Sequence, residues 1–161
     1  MVRDSFGIPD ELLGPHPEEF YGAVGRIVTL SALLENGLLS LVEKLKSDPQ
    51  GSLAKLPATD LVVEGRKHLS RFDDAAQRAR AESFFADLDG ALKQRNDVTH
   101  NVWPAQPGGD LFGWRPSRNK VIGGDRTQIK PTEMAALRSL IHTLVRLVQE
   151  GAAIGGSHLT R

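Results

Sequence analysis

Residues 18–46 decide the fold, and their sequence is EEFYGAVGRIVTLSALLENGLLSLVEKLK. Apolar or small side chains recur at alternating spacings of four and three, which is the seam of a helix that packs in a bundle. The seam consists of Phe20, Val24, Ile27, Ser31, Leu34, Leu38, Leu41 and Leu45. Five further apolar residues widen the stripe beyond one contact: Tyr21, Val28, Leu30, Leu33 and Val42. The pattern predicts one long helix as the backbone of a helical bundle.

Two more helices are predicted in the middle of the chain. A break rich in turn-forming residues at 47–52 precedes a shorter helix from about Asp60, an acceptable N-cap, to Ser70. A third helix is long and should stop within a residue or two of Asn101, because Pro104 disfavours helical geometry just before it. Its periodic positions are Ala81, Phe84, Phe85, Leu88, Leu92, Arg95 and Thr99.

The last third of the chain begins differently. Residues 111–130 combine strand formers with turn formers, which predicts a small β-hairpin. A fourth helix opens at Pro131, and the chain is expected to fray after Gly151. The fold class is therefore all-α: a four-helix up-and-down bundle with a small hairpin inserted before the last helix. We divide the chain into an N-terminal arm (1–16), the bundle (17–153) and a C-terminal tail (154–161).

Composition restricts the classes of function. The chain has 161 residues, with 20 basic and 20 acidic side chains, so no global field attracts nucleic acid or membrane. The absence of cysteine excludes disulfides, cysteine-based zinc sites and a thiol nucleophile. No histidine has a partner at ligand spacing, so no metal site is expected. With no signal peptide and no apolar run of membrane-spanning length, we expect a soluble cytoplasmic protein.

The most concentrated chemistry lies in residues 95–100, RNDVTH, at the predicted end of the third helix. An arginine, an amide and a histidine at such a place can hold a phosphate and move a proton. Arg95 and His100 point about 140° apart on a straight helix, whereas Asn96 and His100 share a face. Arg95 and His100 can therefore act on one atom only if the last turn unwinds near Pro104 or a second copy of the chain contributes.

Metal-free RNA cleavage is one reaction that these residue types allow. It needs a base for the 2′-hydroxyl, an acid for the departing 5′-oxygen and a cation for the charge on the phosphorus. One chain supplies a single suitable histidine, and two chains related by a two-fold axis supply two. On spacing alone the alternative is that Arg95 makes a salt bridge and His100 helps to end a helix.

The pattern Arg95-Asn96-x-x-x-His100, near the end of the third helix of a small bundle, resembles the RNxxxH form of the R-x4–6-H motif. This motif marks the HEPN family, whose prokaryotic members include ribonuclease toxins and antiviral RNases. The resemblance extends to a long first helix with an interior glutamate, Glu35, and to a hairpin followed by a final helix. It covers most of residues 18–150.

The resemblance implies a metal-independent endoribonuclease without a cofactor, in a toxin–antitoxin or phage-defence role. Arg95 would grip the scissile phosphate, His100 would transfer protons and Asn96 would assist by hydrogen bonding. The active site would be shared across a homodimer formed through the motif-bearing helix, with RNA as substrate and an antitoxin as a further partner. Glu35 would orient Arg95 from the first helix, or would be a solvated surface glutamate.

The predicted hairpin carries a local excess of positive charge. Trp114, Arg115, Arg118, Lys120 and Arg126 suggest a surface that tracks RNA phosphates and stacks a base. The alternative is an ordinary solvated hairpin whose Trp114 packs on the bundle. Trp103, beside the motif, favours a core or dimer contact over base stacking.

Two rival functions stay open beside the ribonuclease. Many HEPN proteins bind nucleic acid or a partner without cutting, so the chain could be a non-catalytic module that binds a nucleotide, RNA or a nucleotidyltransferase. A formal net charge of zero fits that reading. The chain could also be a purely structural helical dimer in which Arg95 and His100 stabilise the interface.

Overall fold

The structure, a computed structural model, describes residues 3–13, 16–47, 51–103, 111–116, 126–128 and 132–156. Helical elements dominate these ranges. A single turn, α1 (Asp10–Leu13), precedes four bundle helices: α2 (Glu18–Lys46), α3 (Ala58–Lys67), α4 (Ala75–Thr99) and α5 (Met134–Gly155). Two short 3-10 helices, Ser52–Lys55 and Leu69–Arg71, flank α3. The all-α class is confirmed.

Helix α2 matches the predicted seam and its predicted bounds. Seven of the eight seam residues are buried and Val24 is half-buried. The widened stripe is only partly covered, because Val28 is 50% exposed and Leu33 is 54% exposed. The helix ends at Lys46, and its C-cap Ser47 adopts the left-handed backbone conformation with φ 55°.

The start of α3 differs from the prediction. The helix begins at Ala58 after Pro57, so Asp60 lies in the first turn and is not the N-cap. The ring of Pro57 fixes φ at −64°, and with ψ at 156° the residue leads into the helix in extended backbone, without a side-chain cap hydrogen bond. Helix α4 begins where Asp74 accepts a hydrogen bond from the backbone N–H of Ala76, an ordinary N-cap.

The core lies between the four bundle helices. Helix α2 packs along α5 and against α3, and α4 packs against α3 and α5. All five apolar positions predicted on α4 are buried, from Ala81 to Leu92. Helix α5 continues to Gly155 with Gly151 and Ile154 buried, so the predicted fraying after Gly151 comes too early. The apolar side chain of Ile154 is the reason, because it adds one more turn to the core.

The predicted hairpin region contains two three-residue strands, β1 (Trp114–Pro116) and β2 (Arg126–Gln128). They pair antiparallel, with Arg115 opposite Thr127. Residues 117–125, which would form the turn, lie outside the described residues, and the side chains of both strands do too. The hairpin therefore stays a prediction as a complete unit.

Helix α2 also meets the length and composition requirements of a membrane span, contrary to the expectation that no segment would do so. Its most apolar 18-residue window has a mean hydropathy of 1.3. Core helices of water-soluble proteins meet the same requirements, so the property is weak evidence for a membrane location.

Candidate functional site

The last turns of α4 bring the motif residues beside two other helices. Glu35 lies on α2, and Pro57, Ala58 and Thr59 form the start of α3. Together with Leu92, Arg95 and Asn96 from α4, they line a small open pocket of about 240 Å³. The pocket thus has a cation, an amide and a carboxylate at its wall, and it lies where three helices meet.

Arg95 is largely buried and is held by an ion pair. Its side chain is 17% exposed, and its Nη2 donates a hydrogen bond to Oε1 of Glu35, sixty residues earlier in the chain. Its Nε is buried and has no hydrogen-bond partner among the described residues. The expected contact between Glu35 and Arg95 is therefore present, whereas its role in catalysis stays a prediction. The alternative that Arg95 simply makes a salt bridge fits the same geometry.

His100 is separate from this pocket. It is the C-cap of α4, with φ −108° and ψ 3°, and its backbone N–H donates to the carbonyl oxygen of Asn96 at 3.1 Å. Its side chain is exposed and makes no hydrogen bond or ion pair within the described part of the chain. Helix α4 is continuous to Thr99, so the last turn does not unwind to bring His100 towards Arg95. One chain thus gathers Glu35, Arg95 and Asn96 but not His100.

Trp103, three residues after His100, packs against the bundle. Trp103 donates a hydrogen bond from its indole Nε1 to the carbonyl oxygen of Val98, at 3.0 Å. Its ring packs edge-on against Phe20, with ring centroids 5.4 Å apart, so the core reading of Trp103 holds in this chain. Nε2 of His16 lies 2.7 Å from the carbonyl oxygen of Trp103.

Sequence reasoning missed this second cluster. His16 falls in the predicted N-terminal arm (1–16) and has no predicted role, and no sequence pattern discussed above predicts the indole cap on Val98. A tryptophan five residues after a helical position is a weak signal of such a cap. The link between His16 and Trp103 spans 87 residues and had no signal in the sequence.

A second pocket lies on another side of the end of α4. It measures about 460 Å³ and is lined mainly by the last turns of α4 and the first turns of α5. Asn101 is one of its lining residues, but both polar atoms of its amide are buried and have no hydrogen-bond partner among the described residues. The amide packs against buried Gly113, where a Cβ would lie 2.6 Å from Nδ2.

The basic residues predicted to bind RNA cannot be placed around either pocket. Trp114, Arg115 and Arg126 belong to β1 and β2, whose side chains lie outside the described residues, and Arg118 and Lys120 lie outside them entirely. Among the residues described, no group of three or more His, Asp or Glu side chains could hold a metal ion.

Comparison with known proteins found no match to this chain among family models, curated proteins or solved structures. The resemblance to the HEPN family therefore rests on the residues and helices of this chain alone.

Proposed function

We propose that this protein is a metal-independent endoribonuclease of the HEPN type that acts as a homodimer in the cytoplasm. The observation that carries the proposal is the division of the motif within one chain. Arg95 and Asn96 line a pocket with Glu35, while His100 stands exposed at the helix end and outside that pocket. A site of this kind needs a proton-transfer group from elsewhere, and a second copy of the same chain supplies one.

In the proposed reaction, the histidine of one copy removes the proton of an RNA 2′-hydroxyl. The resulting oxygen attacks the adjacent phosphorus, and the bond from phosphorus to the 5′-oxygen breaks. The histidine of the other copy gives a proton to that departing oxygen, so one product ends in a 2′,3′-cyclic phosphate and the other begins with a 5′-hydroxyl. Arg95 stabilises the negative charge that develops on the phosphoryl oxygens, and Asn96 donates a hydrogen bond.

Glu35 has two consequences for Arg95 in this reaction. The ion pair holds a long, flexible side chain in one orientation, which lowers the entropy lost when a phosphate binds. Only Nη2 is used in the pair, so other guanidinium nitrogens stay without a protein partner among the described residues. The carboxylate also repels a phosphate, so binding through Arg95 is weaker than it would be without Glu35.

The test is an RNA-cleavage assay in EDTA. Purified wild-type protein and the variants His100→Ala and Arg95→Ala are incubated with total RNA and with a defined tRNA pool, and product ends are analysed for cyclic phosphate. We expect the wild type to cleave and both variants to lose activity while they remain folded. His142→Ala is the matched control, because His142 is an exposed histidine on α5 outside both pockets. Full activity in either motif variant refutes the assignment.

A purely structural role is the second candidate, and the Glu35–Arg95 ion pair favours it. In that case Arg95→Ala and His100→Ala lower the melting temperature or dissociate the dimer, and the wild type leaves RNA intact. Thermal unfolding and sedimentation of the same three proteins separate the two candidates. Induced expression adds a cellular readout, since an unrestrained ribonuclease arrests growth and a structural dimer does not.

The non-catalytic HEPN module makes its own prediction. It binds RNA, a nucleotide or a partner such as a nucleotidyltransferase without cutting, and overexpression is harmless. Binding without cleavage by the wild-type protein, in the same RNA mixtures, supports that module over the ribonuclease. An antitoxin partner is proposed only for the ribonuclease, because only an active enzyme endangers the cell that makes it.

A further inference from the structure

A side chain that follows α4 in the sequence caps the C-terminal end of this helix. The last four carbonyl groups of an α-helix have no partner within the helix and need one from elsewhere. Here the backbone N–H of His100 donates to the carbonyl of Asn96, and the indole of Trp103 donates to the carbonyl of Val98. The second bond joins residues five apart and closes the chain into a short loop that contains His100.

Trp103 makes two contacts near the beginning of α2, one with Phe20 in the helix and one with His16 just before it. Its ring packs on Phe20, which is buried in the core, and its carbonyl lies 2.7 Å from Nε2 of His16. A carbonyl oxygen only accepts hydrogen bonds, so Nε2 of His16 carries the proton. The ring of His16 also packs on Phe20, with centroids 4.7 Å apart. The loop after α4 is thereby tied to the segment that precedes α2.

Among the residues that the structure describes, only the backbone holds His100 in place. Its side chain is exposed and makes no hydrogen bond or ion pair among the described residues, so its location follows from its backbone. The backbone of His100 is no longer helical, and its ψ of 3° lies in a sparsely populated region. A displacement of about 1 Å at a reacting group costs about a hundredfold in rate.

We propose that Trp103 is a positioning residue for His100, and that His16 acts with it by holding the Trp103 backbone. The inference rests on the proposed function, because positioning matters only if His100 transfers a proton. It adds to that function two residues outside the motif and makes the N-terminal segment part of the active-site support.

The experiment compares Trp103→Phe with wild type and with Val102→Ala. Phenylalanine keeps an aromatic ring against Phe20 but removes the donor to Val98. Val102 is 66% exposed in the same loop, so its truncation leaves RNA cleavage unchanged. The assay is run well below the melting temperature of each variant. For Trp103→Phe we expect kcat to fall by about tenfold or more and KM to change by less than about twofold. The His100 amide should also exchange its proton with solvent about tenfold faster or more, measured by NMR.

His16→Phe is the second variant if Trp103→Phe does not fold. It keeps a ring beside Phe20 and removes only the hydrogen bond to Trp103. We expect the same two changes in the same direction, with a fall in kcat of about threefold. A purely structural role for either residue lowers the melting temperature without changing kcat at low temperature.

The outcomes separate this inference from the proposed function. Wild-type cleavage with an unchanged kcat in Trp103→Phe overturns the inference and leaves the ribonuclease intact. A lower kcat with unchanged exchange at the His100 amide also overturns it, because Trp103 would then act by another route. Wild-type protein that does not cleave RNA overturns the proposed function, and the inference with it.

Discussion

Replacing Gly65 by alanine tests the packing between α3 and α4. Gly65 is buried, and a Cβ there would lie 2.4 Å from Cζ of Phe85 and 3.1 Å from Cγ2 of Val42. Phe85 is 0% exposed, so its ring cannot yield without disturbing the core. Overpacking of this kind costs about 1–3 kcal/mol, and the higher helix propensity of alanine offsets about 1 kcal/mol. Because the contact is so short, we expect a net loss of about 2 kcal/mol.

Gly90→Ala is the matched control. Gly90 is exposed within α4, and a Cβ there would have no neighbour within 4 Å. Only the propensity term remains, so this variant should gain about 0.5–1 kcal/mol. The same chemical change at two glycines is therefore expected to alter the free energy of unfolding in opposite directions.

Both variants are measured by urea unfolding and by thermal unfolding, followed by circular dichroism at 222 nm. In a chain of this length about 1 kcal/mol corresponds to roughly 2–4 °C. Gly65→Ala should therefore melt about 4–8 °C below the wild type and Gly90→Ala about 1–4 °C above it. The reasoning is refuted if Gly65→Ala is as stable as Gly90→Ala, since α3 and α4 would then not approach as closely as described.

Three further predictions concern a charge cluster, the candidate site and the exposed face of α5. The hydrogen bond from Lys67, with a second to His68, lowers the pKa of Glu64 from 4.5 to about 2. A lowered folded-state pKa stabilises the protein above pH 4.5, and this stabilisation is lost as the pH falls from 4.5 towards 2. Glu64→Gln should flatten the dependence of the urea midpoint on pH in that window, and an unchanged slope contradicts the assignment. Glu35→Gln should tighten RNA binding at low salt, because it removes a negative charge beside Arg95, and should lower kcat, because Arg95 loses its orienting carboxylate. Binding is measured by fluorescence anisotropy, and unchanged or weaker binding counts against a phosphate contact at Arg95. Leu144→Ala should cost about 2–5 kcal/mol because its side chain is fully buried, whereas Val145→Ala, 38% exposed, should change stability by less than about 0.5 kcal/mol. If Val145→Ala lowers the free energy of unfolding strongly, and only at high protein concentration, a second chain covers this face.

The helices themselves follow from local pattern. The spacing from Phe20 to Leu45 and from Ala81 to Leu92 is enough to predict two long helices and the faces that they bury, because helical periodicity depends only on neighbouring residues. The prediction that α4 ends near Asn101 also depends only on neighbouring residues. For the candidate site, this locality was enough to predict that Arg95, Asn96 and His100 lie at a helix end and that Arg95 and His100 point apart.

The contacts between elements were decided by the tertiary structure. Glu35, although its side chain is 40% exposed, pairs with Arg95 because α2 and α4 pack at one particular rotation and depth, to which every buried side chain of the core contributes. The wall that α3 adds to the Arg95 pocket, and the fastening of Trp103 to His16, likewise join residues far apart in sequence. Periodicity states which face of a helix is apolar, but the partner of that face is chosen by the packing of the whole core at once. The sequence therefore determined the helices and the motif at the end of α4, and only their packing determined which residues surround that motif.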